Sequence, residues 1–153
     1  MPLHVGLLIV AATLFASPAW PQSPAPGGMP PPPGMSLAQS AAMRFPQPVR
    51  VGDLPGRAVI EAVEAQTMLG RVRRIVRDGG GTILVVIELS RWFGLQSRTV
   101  AVPIDGMVLV GDVMEPVADT PAQLWQQPVF ELSSATTLGD DATIRVGLAK
   151  PSH

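Results

Sequence analysis

From about Val49 onward the sequence predicts an all-β fold, a small barrel or sandwich, and three observations carry that expectation. Short apolar runs rich in valine and isoleucine are separated by turn residues. Asp78-Gly79-Gly80-Gly81 lies between RVRRIVR and TILVVIEL, which is the signature of a hairpin connection. Val100, Val102 and Ile104 alternate strictly and are stopped by Pro103 and Asp105, as in a strand with one buried face.

Taken in order, the runs predict strands near Arg57–Ala62, Gly70–Arg77, Thr82–Leu89, Arg98–Pro103, Met107–Val110 and Asp112–Val117. Thr120-Pro121-Ala122-Gln123 has capping-box spacing with proline at the first helical position, so one short closing helix is expected up to Gln127. Pro128 ends it. The alternating run Thr143–Leu148 is read as an added strand or an ordered tail. If residues 78–81 form the hairpin loop, Arg77 faces Thr82, Val72 faces Ile87 and Arg71 faces Glu88. The last pair would be an ion pair worth under about 1 kcal/mol if exposed. Ile83 to Ile87 is apolar at every position, whereas a strand with one wet face alternates. Its outer face is therefore expected to be covered by the short helix, the N-terminal segment or another chain.

The N-terminal region has a different character. The apolar run Val5–Ala16 falls short of the roughly 20 residues a bilayer span needs and matches the core of a secretory signal peptide. Ser17-Pro18-Ala19 supplies small residues for cleavage, although no Lys or Arg precedes the run. Residues 1–19 are thus read as a signal peptide, which places the chain in the periplasm with no stable membrane span after cleavage. Residues 20–48 are read as a linker too rich in proline and glycine to pack a core. Ser36-Leu37-Ala38-Gln39 opens one helical turn within it. The domain proper is assigned to 49–132 and a C-terminal tail to 133–153.

Composition narrows the chemistry. The formal net charge is -1, so no global field draws the chain to nucleic acid, and stacking aromatics interleaved with basic residues are missing. There is no cysteine, which excludes disulfides, zinc–thiolate sites and thiol nucleophiles. The two histidines, His4 and His153, lie at the ends of the sequence, away from the domain. General-base and metal chemistry lean on histidine, so no catalytic residue, cofactor or metal is expected, and the chain reads as a non-enzyme.

Several stretches invite a functional reading. Asp105-Gly106 resembles a catalytic carboxylate at a strand end, but Asp-Gly between apolar runs is a hairpin signal and is read as a turn. The glycines at 79–81 precede a β-branched segment, not a helix, so they do not make a phosphate cradle. Arg71, Arg73, Arg74 and Arg77 form the basic cluster. On a regular strand Arg71, Arg73 and Arg77 share one face and Arg74 takes the other. That face is a candidate contact for an anionic envelope component or an acidic protein. Trp92, Phe93 and Leu95 are candidate partner contacts, with the competing reading that they fold over and seal the core. Trp125 and Phe130 share the same ambiguity.

The order of these elements resembles the PRC-barrel family, a small β-barrel found in the photosynthetic reaction-centre H subunit and in a ribosome-maturation factor. The resemblance covers about residues 56–131. It rests on Arg57-Ala58-Val59-Ile60, the step Met68-Leu69-Gly70-Arg71-Val72, the turn Gly79–Gly81, WFGL at 92–95, VAVPID at 100–105, and Ala122-Gln123-Leu124 followed by Pro128-Val129-Phe130. Arg74 departs from the family's usual polar or acidic residue. The resemblance implies a PRC-like β-barrel that acts as a binding or assembly module, with a protein partner or self-association and no shared catalytic centre. One alternative is a membrane-anchored electron-transfer accessory like the reaction-centre H subunit; a second is an envelope hydrolase.

Overall fold

The computed structural model describes residues 33–61, 67–91 and 94–148. The expected signal peptide, the proline-rich part of the linker, Ala62, Trp92 and Phe93 lie outside these residues. The described chain is mostly β-sheet with few helices, in keeping with the all-β expectation. Helix α1 (Leu37–Ala42) leads into β1 (Pro46–Arg50) and β2 (Ala58–Ile60). Next come β3 (Met68–Asp78), β4 (Ile83–Arg91) and β5 (Gln96–Pro103). The hairpin of β6 (Met107–Val110) and β7 (Val113–Pro116) precedes helix α2 (Pro121–Gln126). Two further strands, β8 (Ala135–Thr137) and β9 (Thr143–Leu148), follow.

These strands form one sheet in the order β1-β9-β6-β7-β2-β3-β4-β5, with β8 paired to the far end of β3. Side chains from every strand of that path reach a single apolar cluster, from Ile144 and Val146 on β9 to Val100 and Val102 on β5. A flat sheet cannot bring its two ends to one core, so this one curls. It does not close, and the expected barrel is corrected on this point. Among the described residues β1 and β5 share no pairing. Both edges have been blunted: Pro46 and Pro48 remove two N–H donors from β1, and the Thr99 carbonyl of β5 already accepts from the Phe130 N–H at 2.9 Å. The sheet also takes in residues on both sides of 49–132, since β9 lies between β1 and β6.

The β3–β4 hairpin organises the sheet. Its loop is three residues long, with Asp78 N–H donating to Thr82 O at 3.0 Å, and the Asp78 carboxylate accepts from the N–H groups of Gly80 and Thr82. The ladder pairs Arg77 with Ile83 and Arg74 with Val86, then shifts by one so that Val72 meets Ile87 and Arg71 meets Glu88. The expected register therefore holds at 70–72 and is off by one at 74–77. Arg73 is the extra residue of a β-bulge. The reason lies in the sequence Val72-Arg73-Arg74-Ile75: strict alternation would turn Arg74 inward and Ile75 outward. Burying an unpaired guanidinium costs far more than a local bulge. With the bulge, Val72 and Ile75 both enter the core.

Val86 and Val76 face away from that core, yet they are 2% and 0% exposed. The outer face of β4 is thus covered, as its unbroken apolar run requires. Among the described residues the cover is the chain that follows α2. From Phe130 on the edge of β5, residues 131–134 cross the hairpin to β8 on the opposite edge of β3. We refer to residues 128–134 as the strap. Helix α2 has the expected capping box and plugs the core with Leu124.

Ile104–Gly106 is a single 3-10 turn. Asp105 begins a turn, as expected, but not a hairpin, because β5 pairs with β4 whereas β6 pairs with β7 and β9. Arg44 ties α1 to this turn: its guanidinium donates to Asp105 O at 3.1 Å and to Ser40 Oγ at 2.7 Å. Its aliphatic stem fills the space over Gly147. Among the described residues no helix is long and apolar enough to cross a membrane.

Candidate functional site

The bulge redistributes the arginines. Arg71, Arg73 and Arg74 all lie on the outer face of β3, and Arg77 is on the other, paired with Ile83. This reverses the assignment that regular alternation gives for Arg74 and Arg77. Arg71 is tied to Gly56 O at 3.0 Å, so the expected Arg71–Glu88 ion pair is not formed; Glu88 pairs with Arg73. The Arg74 side chain forms no hydrogen bond or ion pair with any described residue. Arg73 and Arg74 instead line a hollow of about 540 Å³ with Glu88, Val86 and the strap residues Phe130 and Leu132.

Two more hollows continue this surface. Thr99 and Val129 also line a hollow of about 610 Å³ with Leu95, Arg98 and Trp125. Trp125 in turn lines a third, about 670 Å³, with Met68, Arg91 and Pro121. Shared residues make the three one strip along α2 and the strap. Each has the size of a small-ligand or side-chain pocket. The Arg91 guanidinium sits 4.3 Å from the Trp125 ring centre, so the indole is held as one wall by a cation–π contact.

Leu95 is 85% exposed, so a sealing role fails for this residue. The corner places it beside Gly94, whose φ of +86° is the left-handed conformation glycine tolerates. Trp125 is half-buried against the core and still presents a face to two hollows. Among the described residues seven large apolar side chains are exposed: Met43, Phe45, Met68, Leu95, Val129, Leu132 and Leu148. Four of these, Met68, Leu95, Val129 and Leu132, line the strip. Single exposed leucines are ordinary on a protein surface, but their convergence on contiguous hollows is not.

Reading the sequence alone finds Leu95 and Arg73 but misses Arg74, Glu88, Val129 and Leu132 as site residues. The missed signal was the doubled arginine inside an apolar strand, which calls for a bulge. The strap residues carry no local signal, because their place is set by pairing with distant strands.

One carboxylate lies apart from the strip. Glu115 on β7 is 2% exposed, and its Oε2 has no hydrogen-bond partner. Burial raises its pKa above the usual carboxylate range. Among the described residues no three His, Cys, Asp or Glu side chains gather as a metal site would need. Comparison with protein-family models, curated protein sequences and solved structures returns no match.

Proposed function

We propose that this chain is a non-enzymatic binding or assembly module of a bacterial envelope, exported to the periplasm, whose curled sheet presents a docking surface to another protein. One observation carries the reading: four exposed apolar side chains converge on a continuous strip walled by Trp125 and the strap. Burying such a strip against a partner is favourable at about 25 cal/mol per Å² of apolar area. The motif order that resembles the PRC-barrel family supports a binding role, with an open sheet in place of a closed barrel. The proline-rich composition of residues 21–35 supports a spacer that holds the domain away from its point of attachment or export.

Photo-crosslinking in the native host tests this. A benzophenone amino acid placed at Leu95 or Val129 of the full chain is expected to trap one and the same protein species. The same probe at Thr136 on β8, away from the strip, should not. Trapping of no defined species, or of the same mixture from all three positions, overturns the reading. Fractionation of the same cells checks the location, because recovery in the cytoplasm contradicts export. A crosslink between two copies of this chain would identify self-association as the form docking takes.

A further inference from the structure

The charges along the strip name the chemistry of its occupant. Among the described residues four arginines line it, Arg73, Arg74, Arg91 and Arg98, against two glutamates, Glu61 and Glu88. The full chain is slightly acidic, with a formal net charge of -1, so this excess of positive charge is local. Three of the four arginines are already engaged. Arg73 holds Glu88, Arg91 stacks on Trp125, and Arg98 donates twice to Gln127 O. Arg74 alone of the four has no side-chain partner among the described residues. Its guanidinium offers a planar fork of donors beside the apolar wall of Val86, Val129 and Phe130.

We infer that the strip receives an acidic segment of a partner protein, in which a carboxylate engages Arg74 while neighbouring apolar side chains fill the hollows beside Val129, Leu95 and Trp125. The inference rests on the docking reading above and specifies the partner's chemistry. A protein segment suits the site better than nucleic acid. The exposed groups are mostly aliphatic, so they gain by burying apolar side chains, and Glu61 and Glu88 oppose a polyanion. A carboxylate suits the arginine better than a phosphate dianion does, because the Glu88 carboxylate lines the same hollow.

Fluorescence anisotropy with the full chain tests this. Three labelled peptides would share the same leucine and valine residues and carry glutamate, glutamine or lysine at one position between them. The glutamate peptide is expected to bind about tenfold more tightly than the glutamine peptide, the worth of one charge-assisted hydrogen-bonding pair, and the lysine peptide weakest. Arg74→Gln should abolish the preference for glutamate, so that the glutamate and glutamine peptides bind the variant alike. Arg74→Lys should retain part of the preference, and Val129→Asp should weaken all three peptides. Equal binding of the glutamate and glutamine peptides, or a preference that survives Arg74→Gln, overturns the inference. So does the absence of binding by any peptide, or binding to phosphatidylglycerol vesicles in its place. Crosslinking from Leu95 and Val129 is read separately. If it still traps one protein when the peptides show no charge preference, the docking surface stands and the acidic partner falls.

Discussion

The Glu88 carboxylate on β4 is held by Arg73, the bulged residue of β3, although Arg71 is its direct partner across the ladder. The bulge brings the Arg73 side chain over the outer face, and Arg71 is drawn to Gly56 O. The Arg73 side chain is 61% exposed and that of Glu88 is 32% exposed, so water screens most of the attraction. Glu88→Gln is expected to change stability by less than about 1 kcal/mol in urea unfolding. A loss beyond about 2 kcal/mol would mean that the pair fixes the bulge, since exposed pairs seldom reach that value.

Gly70 makes the opposite prediction, a large effect from one methyl group. A Cβ at this position would lie 2.1 Å from the Glu88 carbonyl oxygen and 2.9 Å from the Leu89 Cα. Both obstacles are backbone, and Gly70 is paired on both sides, to Val59 and to Leu89. No side chain can swing away to make room. Gly70→Ala is expected to cost about 3 kcal/mol or more, which equilibrium unfolding would measure directly. A variant as stable as the parent would show that β3 and β4 are spaced more widely here.

What could be read from the sequence was local. The Thr120–Gln123 capping box, the Asp78–Gly81 connection and the strand Met107–Val110 depend on residues within one turn or one run, and each was found close to its place. What could not be read depends on distant partners. Pro46 pairs with Gly147, about a hundred residues away, so no local pattern places β9 between β1 and β6. The bulge at Arg73 lies between these cases: its cause is local, but its consequence, Arg74 beside Phe130, needs the strap in place. Leu95 was legible as a candidate, and its 85% exposure removes the reading in which it seals the core.

The strap itself is fastened by Arg98. Its Nε and Nη2 donate to Gln127 O at 3.1 and 2.6 Å, just before the Phe130 N–H reaches Thr99 O. Hydrogen bonds from a charged donor are worth about 1.5–3 kcal/mol. Arg98→Ala should loosen the strap locally and leave the core ladder intact. In hydrogen exchange the Phe130 amide is expected to lose protection while the amides of Val85 and Val102 keep theirs. Equal loss at all three would show that the strap is part of the global unfolding unit.

Glu115 gives the fold a pH dependence with a sign that differs from that of paired carboxylates. Its burial without a partner for Oε2 raises the folded-state pKa above that of the unfolded chain, which is about 4.3 for glutamate. Between the unfolded and folded values the native state binds more protons than the unfolded state, so stability rises as pH falls through this window. The penalty of the buried charge is complete above the folded pKa and absent below the unfolded one. Glu115→Gln removes the charge at nearly constant volume. The variant is therefore expected to exceed the parent by about 1–3 kcal/mol at pH 8 and to converge with it near pH 4. Chemical denaturation at a series of pH values measures this difference directly, and contributions from the other carboxylates cancel between the two proteins. Parallel curves across that range would show that Glu115 ionises as freely in the folded state as in the unfolded one.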